Sequence, residues 1–528
     1  MDGDRSEDAP PGTSGDRLPT EVETEIMRRI TRASALEVQE SQAANEWKGN
    51  AYLLYDSFIS VDMKMCPHCV TWLPFPEEDD YPRIAFGTNN PDGVNEVVVL
   101  EMRLAKTEHL SGTVTEDWKE FANFETREGD ENLKIEGFGL EPVHPETAPF
   151  KVCARFPHET EVNRILPCPV KPELLATRTA NGAVFLWDWK RQADNAPYPE
   201  ERPFRTVKLS PPGAQQDDIY ALAWSSPPEA SPRGSHAHFR NAFLASGTED
   251  GRCCIWDVNV IDIQESTQNL LHCFDAHEGV LGGVVFKPSQ PDLLATVGDD
   301  GCLKLWDLRT LGIDRHGRPI DTVRASVREV HTVDWSAPNE HHLATAGNGY
   351  VVSVWDRRNL RVPFRELSEA HTGDVQVVKF ATFDRDILAS CSKDSRVHIW
   401  DLKKNVSKAR AKDREALRRE ARESEREDDQ ESEAGQPELV FSHLGHKQRV
   451  DDFDWGPESM LMCSVGLDYQ LQIWQPNNDI DFAMPGGSPE TDPGDVESPS
   501  DMASPSGAAG STEAVPSPKR MRVTQEDS

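Results

Sequence analysis

Residues 371–401 read HTGDVQVVKFATFDRDILASCSKDSRVHIWD. The stretch carries His371, Ser390 and Asp394, the side-chain types of a hydrolase triad, and closes on Trp400. Two further stretches repeat it, HEGVLGGVVFKPSQPDLLATVGDDGCLKLWDLR at 277–309 and HKQRVDDFDWGPESMLMCSVGLDYQLQIWQ at 446–475. They supply His277, Thr296, Asp300 and Trp306, then His446, Ser464, Asp468 and Trp474. In all three copies the hydroxyl residue stands four before the Asp, and the Asp six before the Trp. Catalysis needs one triad, whereas this constellation recurs. It reads as a hydrogen-bonded tetrad running from the Trp indole through the hydroxyl and His to Asp, tying together the strands of one repeat. No catalytic residue is assigned and the chain is not expected to be an enzyme.

Working outward, the repeat tryptophans are Trp187, Trp256, Trp306, Trp355, Trp400 and Trp474. Intervals of 50, 49 and 45 residues between Trp256, Trp306, Trp355 and Trp400 fit the blade period of a WD40 β-propeller. The longer intervals hold insertions, SSPPEASPRGSHAHFRN at 225–241 and a charged stretch at 403–436. Residues 69–102 form short alternating runs with no WD signature and count as a first, atypical blade. The expected fold is therefore all-β, a seven-bladed propeller over 50–476, with AYLLYDSFIS at 51–60 supplying the strand that closes the ring against the last blade. Asn181 and Gly349 stand where the tetrad Asp belongs, so the blades ending on Trp187 and Trp355 lose a polar link.

Outside the ring, residues 1–20 are acidic and read as disordered. Residues 21–49 carry Val22, Ile26, Ile30, Ala33 and Leu36 at helical spacing and predict an amphipathic N-terminal α-helix. The 403–436 insertion holds ten bases and ten acids, segregated into a basic first half and an acidic second half. Residues 477–528 are Ser-, Pro- and acid-rich and read as a disordered tail, with a short basic cluster at Lys519, Arg520 and Arg522.

Net charge over the 528 residues is −35, of which residues 1–25 and 477–528 supply −13. An acidic body repels phosphate backbones, which argues against direct nucleic-acid binding and favours basic protein segments. No apolar run approaches the length of a membrane span, and the N-terminus has no secretory core. Ten scattered cysteines fit a reducing compartment. CPHC at 66–69 is half of a zinc pattern without a second half, so no metal and no cofactor is expected.

Four stretches carry a more specific resemblance: NEWKGNAYLLYD (45–56), TWLP (71–74), HETEVNR (158–164) and PELVFSHLGHKQRVDDFDWGP (437–457). With them the chain resembles the histone-binding WD-repeat proteins of the retinoblastoma-binding and chromatin-assembly-factor small-subunit type, the MSI-like family. The resemblance implies a noncatalytic nuclear scaffold that binds histones H3 and H4 and joins the subunits of chromatin assembly, remodelling or deacetylase complexes, as a monomer within hetero-complexes. It places an H3 or similar peptide on the top face of the ring, at Glu161, Asn163, Arg164, Asp218, Tyr220, Asp299, Glu329, Asp374 and Arg449. Gly282 and Leu467 occupy positions where the family has acids. The H4 groove would use Leu36, Glu433, Gly435, Pro437 and Ile480. Two other functions compete. One is a glutamate-rich WD-repeat ribosome-assembly factor, for which the acidic stretch 116–139 is too mixed. The other is a ubiquitin-ligase substrate receptor, for which WDRR at 355–358 is the relevant motif.

Overall fold

The computed structural model describes residues 51, 53–74, 81–90, 94–106, 122–128, 131–142, 148–158, 160–190, 207–209, 220–226, 241–260, 269–288, 290–311, 317–368, 370–404, 438–456 and 460–477. Apolar residues alternate along short segments broken by Gly, Asp and Asn, which is the pattern of half-buried antiparallel strands. These segments assemble into seven antiparallel sheets whose innermost strands touch their neighbours in ring order, and a separate two-stranded ribbon of Leu104–Lys106 with Leu140–Pro142.

Blade 1 is Pro67–Leu73, Arg83–Thr88, Asn95–Met102 and Phe150–His158. Blade 2 begins with Val162–Pro167, blade 3 with Leu222–Trp224, blade 4 with Leu281–Lys287, blade 5 with Val330–Trp335 and blade 6 with Val375–Phe380. Each of these has four strands, with its tryptophan near the end of the third. Seven apolar clusters hold the ring, one at each junction between blades, so no blade has a private core. Trp306, Trp400 and Trp474 are among the largest fully buried side chains.

Blade 7 closes the ring. Its inner strands Val450–Trp455, Met462–Gly466 and Gln470–Pro476 take Tyr55–Asp62 as the fourth, with Ile59 opposite Ile473. The closing strand therefore comes from the 51–60 segment. Tyr55 pins it, since its hydroxyl meets His443 Nδ1 at 2.8 Å and His443 stacks flat on Trp474.

The stretch 116–139, assigned no strand from its sequence, contributes two. Glu131–Phe138 pairs with the outer side of Tyr55–Asp62, and Ala122–Glu128 pairs with it in turn, making blade 7 six-stranded. Ile135 is buried on this seam. Gly137 is required there, because a Cβ would lie 2.2 Å from the Phe58 carbonyl oxygen. The predicted helix at 21–49, residues 405–436 of the insertion and the tail from 478 lie outside the described residues.

Candidate functional site

The tetrads come first, because they fix the loops around the site. In blade 4, Trp306 Nε1 donates to Thr296 Oγ1 at 2.8 Å, and His277 meets Thr296 at 2.8 Å and Asp300 at 2.7 Å. In blade 6 the same chain runs Trp400 to Ser390 (2.9 Å), Ser390 to His371 (2.8 Å) and His371 to Asp394 (2.8 Å). In blade 7 it runs Trp474 to Ser464 (3.1 Å), Ser464 to His446 (2.8 Å) and His446 to Asp468 (3.1 Å). A carboxylate only accepts, so Nδ1 carries the proton and Nε2 accepts from the hydroxyl. That hydroxyl is committed on both sides, and Ser390, Thr296 and Ser464 are fully buried. Blade 2 keeps the chain in altered form. Trp187 donates to Thr177 and Thr177 meets His158, but His158 Nδ1 turns to the Phe156 carbonyl while Asn181 caps its own turn. The link lost with the missing Asp is thus replaced by backbone.

The mouth of the ring is shaped by a recurring irregularity. Six inner strands carry a register shift at their second residue: His68, Asn163, Gly282, His331, Gln376 and Asp451. A bulge of this kind re-aims one side chain while leaving the ladder on either side intact. Four of the six, Gly282, His331, Gln376 and Asp451, line a cavity of about 290 Å³ together with Arg164 and Tyr220. Asp451 accepts from His68 Nδ1 at 3.2 Å, and His68 Nε2 accepts from the Tyr220 hydroxyl at 3.0 Å, so three blades are wired across the opening.

The sequence-nominated residues fall at different depths. Arg164, Tyr220 and Asp299 line the cavity, and Asn163 is buried at its bulge. Glu161, Glu329, Asp374 and Arg449 each sit two residues before a bulge residue, on the rim. Asp299 is exposed and accepts the Val280 N–H at 3.2 Å. Glu329 is exposed and accepts from Asn348, whose hydrogen bond holds its carboxyl below the usual range. Asp374 is neutralised by Lys393 at 2.9 Å, and Arg449 pairs with Asp451 at 2.9 Å. Gly282 is closely packed, since a Cβ there would stand 2.5 Å from the Val330 carbonyl oxygen, so an acid of the kind the resemblance implies would not fit without a backbone shift. Asp218 and the groove residues Leu36, Glu433, Gly435, Pro437 and Ile480 lie outside the described residues.

Below the mouth, charge is compensated tightly. Arg164 reaches Asp452 at 3.2 Å, and Lys379 sits 3.4 Å from Asp452 and 3.2 Å from Asp454. Asp452 and Asp454 in turn accept the Val70 and Trp72 amides of blade 1, and Asp334 accepts the Phe380 amide of blade 6, so these carboxylates latch neighbouring blades. Burial pushes Asp334 up to about 6. Sequence reading named only Arg164 here; an Asp immediately before the strand-ending Trp335 and Trp455 is the signal that identifies two of the latches.

The remaining motifs resolve into structure. Burial pushes the Cys66 thiol up to about 11 and Cys69 higher still, and the two thiols face different carbonyls, Gly466 and Val162. In WDRR, Arg358 turns back onto its own Asp356, as Arg309 does onto Asp307 in blade 4.

Residues 208–257, 268–307 and 362–401 match the family described as WD domain, G-beta repeat. Over 430 residues the chain is 28% identical to the WD-40 repeat-containing protein MSI3 of Arabidopsis thaliana, an alignment that covers 81% of this chain and 88% of that protein. The chain is therefore a seven-bladed WD40-repeat propeller, similar over most of its length to the MSI-like branch of that family.

Proposed function

We propose that this propeller is a noncatalytic nuclear scaffold that binds histones, with a Lys- and Arg-rich H3 N-terminal segment entering at the mouth and with other subunits of chromatin complexes as its partners. The observation that carries the reading is the rim. Glu161, Asp299 and Glu329 form no ion pair with Lys or Arg among the described residues; Asp299 lines a cavity that offers the Tyr220 ring and polar bulge residues, and Glu161 and Glu329 each stand two residues before a bulge of the mouth. Unneutralised carboxylates at a concave opening attract a cationic chain and bind it by charge-assisted hydrogen bonds. The net charge of −35 strengthens the same field. The buried hydroxyls of the tetrads support the noncatalytic part, since each is held between an indole and an imidazole.

Titration of a synthetic H3 N-terminal peptide tests this. Asp299→Asn with Glu329→Gln should weaken binding by about 2–3 kcal/mol, at roughly 1–1.5 for each charged hydrogen bond lost. Asp374→Asn should cost less, because Lys393 already neutralises that carboxylate. Added salt should weaken the wild-type complex. Equal affinity in the double variant, or no response to salt, removes the mouth as the site.

A further inference from the structure

Blade 5 breaks the pattern shared by blades 4, 6 and 7. Trp355 still donates to Thr345 at 2.9 Å, and Thr345 is 2% exposed. The imidazole that should follow is absent. Ser326 stands at the backbone position of the histidine: its N–H donates to Gly301 O at 3.0 Å, as the His277 N–H donates to Gly251 O at 3.0 Å one blade earlier. The carboxylate is absent too. Gly349 stands at the position of Asp300, and a Cβ added there would meet only Ser326 Oγ, at 3.6 Å. A third side chain is cut back as well. Across the ladder from the tetrad hydroxyl, blades 4, 6 and 7 place Lys304, His398 and Gln472, which reach the carbonyls of Ala276, Ala370 and Gly445. Blade 5 places Ser353 there.

Three large polar side chains are thus replaced by Ser, Gly and Ser, and a cavity of about 330 Å³ lies where they would be. Thr345 lines it; among the described residues its hydroxyl accepts from Trp355 and its own proton has no acceptor. Glu366, opposite Ser353 in the ladder, is an exposed carboxylate at the edge of the same cavity. Val327 (85% exposed) and Tyr350 (42% exposed) flank it with apolar surface that is left uncovered among the described residues.

We propose that this vacancy receives the neutral imidazole of a histidine side chain carried by a partner polypeptide. Neutral imidazole combines one acceptor nitrogen, which the Thr345 proton would satisfy, with one N–H, which Glu366 would accept. Three sister blades seat that same ring against the same buried hydroxyl. Val327 and Tyr350 give the flanking chain an apolar lip, which a free small molecule would leave uncovered. The cavity shares no lining residue with the mouth cavity, although its Arg328 and Val330 flank the rim residue Glu329. Its occupant is recognised by a hydroxyl and an imidazole rather than by the rim carboxylates, so the two readings are tested by different probes.

The test uses the full chain with two probes, imidazole and a five-residue peptide bearing one histidine between glycines, followed by calorimetric titration at pH 8. Saturable binding with a dissociation constant of roughly 1 mM is expected, the range a five-atom ring reaches. Binding should weaken at least about tenfold at pH 5, where imidazolium has no acceptor nitrogen. Thr345→Val should abolish it. Ser326→His, which fills the vacancy from within and keeps the Trp355 acceptor, should also abolish it without loss of folding. A peptide with alanine in place of the histidine should not bind. Absence of saturable binding to the wild type, undiminished binding to Ser326→His, or binding of imidazole without binding of the peptide would each overturn the proposal.

Discussion

Blades 5 and 6 are neighbours that share one apolar junction, in which Val352 and Val354 of one pack with Val378 and Leu388 of the other. Both keep a buried tryptophan bonded to a hydroxyl on the adjacent strand. There the likeness ends. Blade 6 continues through His371 and Asp394, and adds His398, whose ring lies 4.2 Å from His371 and which bonds Ser442 and the Ala370 carbonyl. Blade 5 stops at Thr345. A blade therefore needs the indole–hydroxyl bond and its two apolar junctions to form. The His–Asp extension serves to fasten the loop that enters the inner strand onto the turn between the second and third strands. Where the extension is missing, the same backbone stands around an opening.

Asp394→Ala gives the largest expected separation between the two blades. It strands the buried Nδ1–H of His371 and removes the acceptor of the Thr372 amide at 3.0 Å. The cost should be about 2–3 kcal/mol, mostly the penalty of a buried donor without a partner. Gly349→Ala at the matching position of blade 5 should change stability by less than about 0.5 kcal/mol. Urea unfolding of both variants checks this, and equal costs would break the distinction.

Acid should widen the gap in a defined direction. Burial, with the charge of His371 as a lesser cause, holds His398 down at about 3. The unfolded chain takes that proton first, near pH 6.5, so the stability contribution is complete above this value and is lost as pH falls below it. Between pH 7.5 and 5, amide protection factors in blade 6 should drop about tenfold, one pKa unit being worth about 1.4 kcal/mol. His398→Gln should flatten that drop. In blade 5 the same register holds Ser353, which does not titrate. A drop in blade 6 that survives His398→Gln would assign the acid response elsewhere.

Restoring blade 5 is the converse experiment. Ser326→His with Gly349→Asp should add about 1 kcal/mol in urea unfolding, the net worth of a buried hydrogen-bonded pair. Part of the gain is offset, because Ser326 Oγ accepts the Arg328 amide at 3.0 Å and would be replaced. A loss of stability would mean that the vacancy differs in shape from its sister blades.

This comparison also marks how far the sequence could be read. Tetrad spacing is legible because hydroxyl to Asp and Asp to Trp are fixed offsets along the chain and His to hydroxyl is 18 or 19 residues. Counting nineteen residues back from Thr345 reaches Ser326, as it reaches His371 from Ser390, so the missing imidazole is visible to the same arithmetic. The closing strand is legible because Tyr55, Phe58, Ile59 and Val61 carry apolar character onto a seam. The mouth is legible in part. Arg164, Tyr220 and Asp299, named through the resemblance, line the cavity, and Glu161, Glu329, Asp374 and Arg449 stand on its rim. A bulge adds one residue and shifts the alternation by one place, a break that resembles a strand end, so of the bulge residues only Asn163 is named for the site. The hairpin at 122–138 is hidden for a different reason. Its strands intersperse charged residues among apolar ones without regular alternation, and Glu131–Phe138 is held by backbone pairing to Tyr55–Asp62, a partner more than sixty residues upstream, with Ala122–Glu128 paired to it in turn.

The smallest expected effect concerns the turn beside the vacancy. The residue after the tetrad carboxylate position has positive φ in six blades: Gly182, Gly251, Gly301, Tyr350, Ser395 and Tyr469, with values from 60° to 77°. Side chains with a Cβ pay about 1–2 kcal/mol in this region, and glycine gives back about 0.5–1 kcal/mol in chain entropy. Tyr350→Gly and Ser395→Gly should therefore each raise stability by about 0.5–1 kcal/mol, comparing blade 5 with blade 6 at one backbone position. The two gains should agree within about 0.5 kcal/mol, because the Tyr350 ring is 42% exposed and lies over an opening rather than over packed side chains. Denaturant unfolding of the two single variants decides it. A clearly smaller gain for Tyr350→Gly would show that the ring is held against the lip of the cavity in the free protein, and the opening in blade 5 would then be covered before any partner arrives.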